Sequence, residues 1–252
     1  GRRGRCRGRC RGRRARCAVI PTVVVAGESL IDLIAHPDGR IDAVPGGGPF
    51  NTARTMARLG AEVAWLGRLS NDRLGTMLRQ RLVADGVSDA LFVATDDPTT
   101  LALAELDASG AASYRFYFER TSAPGLEWPD AARALTPGLR ALHVGTLGLV
   151  FTPMADALAR LVDSAGPSVL VMIDPNCRPL TIRDRDAWRA RLMGTIARAD
   201  VVKVSTDDLE FLDGPVVEPQ DAPPPNGLLE ASCHVTVKPA ESAGTIPVPK
   251  PI

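Results

Sequence analysis

No apolar run in this sequence reaches the roughly 18 to 20 residues that cross a bilayer, and the N-terminus lacks the apolar core of a signal peptide. No membrane partner is expected, and a cytoplasmic location is the default. Histidine is nearly missing: the 252 residues hold three, His36, His143 and His234, and none stands at metal-ligand spacing from a cysteine pair. That sets aside a zinc site. Of the five cysteines, Cys6, Cys10 and Cys17 crowd the N-terminal tail while Cys177 and Cys233 are solitary. An odd, irregular set fits reduced thiols better than a disulfide framework. Acid is absent from residues 1–17, which carry nine of the 30 basic residues. The rest holds 21 basic against 29 acidic side chains, a net charge of −8. This acidic body argues against a globular nucleic-acid surface and confines any such activity to the tail.

What is present reads as an ordinary globular chain, 45% hydrophobic and 23% charged, long enough for one domain with a large core. Residues 1–21 form an Arg/Gly-rich tail whose low complexity cannot bury enough apolar surface to order itself. It is either a phosphate-binding arm or an upstream stretch outside the true reading frame. Thr22 to Ala26 is a compact β-branched run, the form of a buried strand, and Glu28, Ser29 and Asp32 follow it. Open α/β sheets place ligand-binding groups at this end of a strand, although a loop acid in solvent satisfies the same pattern.

Gly46, Gly47 and Gly48 come next, then Pro49, Phe50 and Asn51, with a helical run over Thr52 to Leu59 stopped by Gly60. Glycines before a helix N-terminus suit an oxygen-rich ligand near main-chain amides; they also suit a plain turn. Glu62 to Leu66 reads as a strand and Leu74 to Ala84 as an amphipathic helix. Thr99 to Leu106 and Ser113 to Glu119, joined by turn chemistry at residues 107–110, predict a hairpin holding both tyrosines, Tyr114 and Tyr117. It is a β appendage over a cleft or an edge hairpin on the core. Strand-like Ala141 to Val144, helical Pro153 to Asp163, strand-like Ser168 to Ile173, helical Asp186 to Arg198 and strand-like Ala199 to Val204 then alternate. That rhythm implies a parallel sheet with helices on both faces, and its polar clusters, Asp174 to Arg178 and Lys203 to Asp208, follow two of the strands. Residues 215–252 are Pro-rich and irregular, with only Cys233 to Val237 resembling a strand.

Three motifs in order, Gly27-Glu28-Ser29-Leu30-Ile31-Asp32, Gly46-Gly47-Gly48-Pro49-Phe50-Asn51 and Gly67-Arg68-Leu69-Ser70-Asn71-Asp72, resemble the amino-terminal signature of the ribokinase-like (PfkB) sugar kinases. Asp174-Pro175-Asn176-Cys177-Arg178 is similar to the Asp-x-Asn-x-Arg segment of the fructokinase and 2-keto-3-deoxygluconate kinase branch. The resemblance covers about Val23 to Gly214. It implies an α/β fold, a ribokinase-like three-layer sandwich with a mostly parallel sheet and a small β lid at about residues 99–119. It also implies transfer of the γ-phosphoryl group of ATP, with Mg2+, to a sugar hydroxyl, and a homodimer formed through the lid.

Carried over, Asp32, Asn51 and the backbone of Gly46, Gly47 and Gly48 meet the sugar, with Tyr117 and Glu119 as lid contacts. Asp174, Asn176 and Arg178 lie between sugar and nucleotide. Arg178, Lys203 and Ser205 meet phosphate. Ser205 and Asp208 replace the family's Asn-x-x-Glu element, giving Asp208 a metal role; the same spacing makes a helix cap. No catalytic residue is assigned, because residues 215–252 contain no match to the family's Gly-Ala-Gly-Asp element, whose aspartate is the general base. The resemblance therefore implies a sugar kinase impaired in turnover or a non-catalytic sugar-binding protein on the same fold.

Overall fold

Val24, Val25 and Ala26 have no exposed surface, because their strand, β1 (Val23–Ala26), lies inside a seven-stranded sheet. β1 pairs in parallel with β4 (Val63–Ser70) on one side and β8 (Ala141–Gly145) on the other. Outward lie β5 (Phe92–Thr95) beyond β4, and β9 (Leu170–Asp174) and β10 (Val201–Ser205) beyond β8, all parallel. The edge strand β11 (Cys233–Val237) is antiparallel to β10. The computed structural model describes residues 22–107, 112–213 and 233–237. The tail, residues 108–111 and the rest of the Pro-rich segment lie outside the described residues.

Side chains along a strand alternate between faces, so each central strand feeds two cores. Val24, Ala64 and Leu66 join one core with Leu158 and Leu161 of α4 (Met154–Ser164) and Trp188 and Leu192 of α5 (Arg185–Arg198). Val25, Val63 and Trp65 join the other with Phe50 and Ala53 of α1 (Gly48–Arg58) and Leu78 and Leu82 of α2 (Arg73–Ala84). This gives three layers, helices over each face of a mostly parallel sheet. A fully buried Leu, Phe or Val contributes about 1.5–3 kcal/mol, which is why these runs are continuous and not alternating. Short α3 (Trp128–Ala131) and α6 (Thr206–Asp213) complete the helices of the described residues.

The lid is larger than the expected hairpin. β6 (Leu101–Leu106) and β7 (Ala112–Tyr117) are antiparallel neighbours, but β2 (Leu30–Ala35) and β3 (Ile41–Gly46) extend them into a four-stranded sheet, order β3-β2-β6-β7. Asp32 is therefore not in a loop past β1: it is in the middle of β2, opposite Val44. Helix α1 starts at Gly48, four residues before the expected Thr52, because Pro49 in its first turn has no N–H to satisfy and presets the helical φ.

Asp72 ties the lid to the body. It caps α2 by accepting from Gly75 N at 2.7 Å, and it accepts from Thr99 N at 2.8 Å and Thr99 Oγ1 at 2.6 Å, just before β6. Partial burial opposes its charge, but these hydrogen bonds prevail and hold its pKa at about 2. Asp72→Ala should lower the unfolding free energy in urea by about 1–2 kcal/mol at neutral pH. Because the folded pKa lies below the unfolded value of about 3.9, the gap to wild type should be full above that pH and close as pH falls toward 2.

Candidate active site

The floor of the site is built on one buried carboxylate. Glu28, between β1 and β2, is 2% exposed. Its Oε1 accepts from Gly48 N at 3.1 Å and from the Thr146 hydroxyl, and its Oε2 accepts from Gly148 N at 2.9 Å. Burial raises its pKa to about 7 against the opposing hydrogen bonds. The glycines serve this packing. Gly47 sits at φ +111°, and a Cβ there would lie 2.8 Å from the Glu28 carbonyl oxygen. A Cβ on Gly48 would lie 2.5 Å from Thr146 Cγ2, and one on Gly46 would lie 2.0 Å from Asp32 Oδ2. The amide at the start of α1 is thus already satisfied by an internal anion and is no free phosphate cradle.

Above this floor lies a cavity of about 870 Å³ lined by Glu28, Asp32, Gly47, Gly48, Asn51, Thr146, Asn176 and Arg178. The Asp32 side chain makes no hydrogen bond or ion pair among the described residues, and burial raises its pKa. Asn51, in the first turn of α1, accepts from Arg54 at 3.1 Å through Oδ1, which leaves its amide N–H groups for a ligand. Asn176, at φ +40°, accepts from Arg178 Nη1 at 2.9 Å. The lid supplies the roof with Ile34, Leu106, Tyr114 and Phe116, all of one face parity with Asp32.

A family model described as pfkB family carbohydrate kinase matches residues 21–220. The chain belongs to that family. A fructokinase of Rhizobium leguminosarum bv. trifolii is 32% identical over 193 residues, covering 75% of this chain and 59% of the relative. A fructokinase of Xylella fastidiosa solved with bound ATP superposes with a TM-score of 0.68 at 29% identity, over 75% of this chain and 59% of that one. A fructokinase of Vibrio cholerae O395 in a fructose-, ADP- and calcium-bound form gives 0.66 at 26% identity, over 78% and 64%. This PfkB chain thus spans about six tenths of the length of the curated relatives it matches.

Several expected residues stand elsewhere. Tyr117 has the opposite parity to Tyr114 and Phe116 on β7, half exposed and away from the cavity, so the lid aromatics on the site are those two. Glu119 pairs with Arg183 beside a second cavity of about 580 Å³. Asp174 and Lys203 are spent on each other at 3.1 Å, and neither lines the main cavity. Burial first, and opposing hydrogen bonding to Lys203 second, leave the Asp174 pKa raised. From sequence, Glu28 is named after the first strand and within the Gly27–Asp32 motif but given no role, and Thr146 is not named; its sequence signal is its place just past the strand Ala141 to Val144.

Asp208 does not fit a metal. It is 3% exposed; Oδ1 accepts from Cys177 N, while Oδ2 accepts from Ser205 N at 2.9 Å and Ser205 Oγ at 2.7 Å. Ser205 Oγ in turn accepts from Asp208 N at 3.1 Å, a capping arrangement at the start of α6. Burial opposes the charge, yet these donors keep the Asp208 pKa below its ordinary value. Among the described residues no group of three or more His, Cys, Asp or Glu side chains can hold a metal. Of the three residues expected to meet phosphate, Arg178 alone lines the cavity. Asp208→Ala, which strands two main-chain amides, should therefore lower stability by about 3 kcal/mol in chemical denaturation. The variant should bind Mg2+ like wild type in calorimetry; lost metal binding at unchanged stability would restore the metal role.

Proposed function

We propose that the cavity is the acceptor site of a fructokinase-type sugar kinase, holding a ketohexose of the fructose class so that one hydroxymethyl group is presented for phosphorylation by ATP. The observation that carries this is Asp32, a half-buried carboxylate whose side chain has no protein partner among the described residues, lining one cavity with donors on Asn51 and Arg178. A carboxylate accepts from two hydroxyls at once, and an analogue lacking one of them leaves it desolvated and unpaired. Asn51 donates to a sugar oxygen, Arg178 attracts anionic oxygens at the rim, and the apolar lid excludes water. The fructokinase relatives support this substrate class, and the fructose- and ADP-bound neighbour supports the pairing of sugar with nucleotide.

The same reading makes residues 22–214 the kinase domain, with the tail and residues 215–252 as separate segments, a cytoplasmic location, and a homodimer formed through the lid. Nucleic-acid binding would be confined to the tail. ATP supplies the phosphoryl group; Lys203, Ser205 and Asp208 do not assemble a place for it or for Mg2+, so the residues in hand bind and orient the acceptor. One observation favours a second reading, sugar binding without efficient turnover. Of the two cavity carboxylates, Glu28 is fully occupied, and residues 215–252 carry no Gly-Ala-Gly-Asp element to supply a base.

In titration calorimetry with fructose, Asp32→Ala should raise Kd about 100-fold, the loss of two hydrogen bonds to a charged group. In a coupled ADP-release assay with ATP, Mg2+ and fructose, the 252-residue polypeptide should turn over about 10² to 10⁴ times more slowly than a kinase with its base in place. Turnover at an ordinary enzyme rate, on the order of 10 s⁻¹, would overturn the impairment. Unchanged affinity in Asp32→Ala would overturn the site.

A further inference from the structure

Thr146 is a β-branched residue at φ +52° that lines the sugar cavity and donates to Glu28 Oε1, the oxygen that also accepts from Gly48 N of α1. Three donors converge on the Glu28 carboxylate, and they are not equivalent. Gly48 N and Gly148 N can only donate. A hydroxyl can reverse. While Glu28 is ionised, the single Thr146 proton is committed to Oε1, and only oxygen lone pairs remain for a ligand. If Glu28 takes a proton from cavity water onto Oε1, the one neighbour able to accept it is Thr146 Oγ1, and the Thr146 proton is then released toward the cavity.

We propose that Glu28 and Thr146 form a proton-dependent specificity element, in which Thr146 accepts from a substrate hydroxyl when Glu28 is ionised and donates to a proton-free substrate oxygen when Glu28 is neutral. The inference rests on the cavity being a sugar site. Its consequence is discrimination between a neutral polyol and a sugar acid, whose carboxylate oxygens carry no proton to give. Burial of Glu28, which brings its titration to about pH 7, places both states within reach near neutrality. The titratable and charged groups on the elements around Glu28 are Asp32 of β2, His143 of β8, and Arg54 and Arg58 of α1; none bonds to Glu28, the two arginines being held by Asp85. Arg178, the charged residue elsewhere on the cavity, does not bond to Glu28.

Calorimetry with fructose and with gluconate at pH 6 and pH 8 tests this on wild type, Thr146→Val and Thr146→Ser. Asp32 faces the same ligands and titrates in all three proteins, so its effect cancels in the comparison. The gluconate-to-fructose Kd ratio should fall from pH 8 to pH 6 about fivefold more in wild type and Thr146→Ser than in Thr146→Val, the worth of one hydrogen bond. Carbon-13 NMR of the Glu28 carboxyl should give a midpoint near 7. Equal ratio shifts in wild type and Thr146→Val, or a Glu28 midpoint in the ordinary carboxylate range, overturn this inference alone. Absence of binding by both ligands at both pH values overturns the sugar reading and this inference with it.

Discussion

A carboxylate taken out of water must be surrounded by donors, and Glu28 imposes that requirement on everything around the cavity floor. Its charge draws the amide that opens α1, the Gly148 amide and the Thr146 hydroxyl to one point. Side chains at residues 47 and 48 would block this convergence, which explains glycine there better than any ligand does. The left-handed backbone of Thr146, unfavourable for a β-branched residue, persists because its hydroxyl and its methyl are both held in place. Glu28 binds its proton more tightly folded than unfolded. Its contribution to stability is therefore greatest at acid pH and declines as pH rises from about 4.5 to about 7.

Asp208 repeats the device on the far side of the site. It too is buried beside a helix start, and it too ties that start to a loop bearing cavity-lining groups, Asn176 and Arg178, through Cys177 N. The Cys177 thiol, buried beside it, is pushed up to about 12 and stays protonated. Two parts of the cavity wall are thus held by carboxylates whose oxygens are taken by protein donors, and the cavity carboxylate whose side chain has no such donors among the described residues is Asp32.

The strands buried on both faces were legible because they read as continuous β-branched runs: Thr22 to Ala26 and Ser168 to Ile173 match β1 and β9 within two residues. The glycine motif and the segment after β9 were legible as polar loops at strand ends, and Gly47, Gly48, Asn51, Asn176 and Arg178 do line one cavity. β2 and β3 were not, because Asp32, Asp42 and Pro45 interrupt the apolar pattern, and lid strands need only one buried face. Choosing Tyr117 over Tyr114 failed by a single step of parity. That choice depends on β6–β7 register, which is a property of the pairing and not of either strand. Ser205 to Asp208 fitted a metal element and a helix cap equally by spacing; only the positions of Cys177 N and the Ser205 donors separate the two.

The division of the cavity into an amide-rich floor and an apolar roof bears on what enters it. Phosphate needs free donors, and the helix end that would offer them is already bonded to Glu28. A polyol needs acceptors and donors interleaved at hydroxyl spacing, with an apolar cover to strengthen those bonds by excluding water. Asp32 is the one charged group the lid contributes to the cavity lining, and it shares β2 with the apolar roof residues Leu30 and Ile34. On the proposed reading, a sugar bound to Asp32 would be fixed to β2 itself, on the same cavity as Asn51 and Arg178.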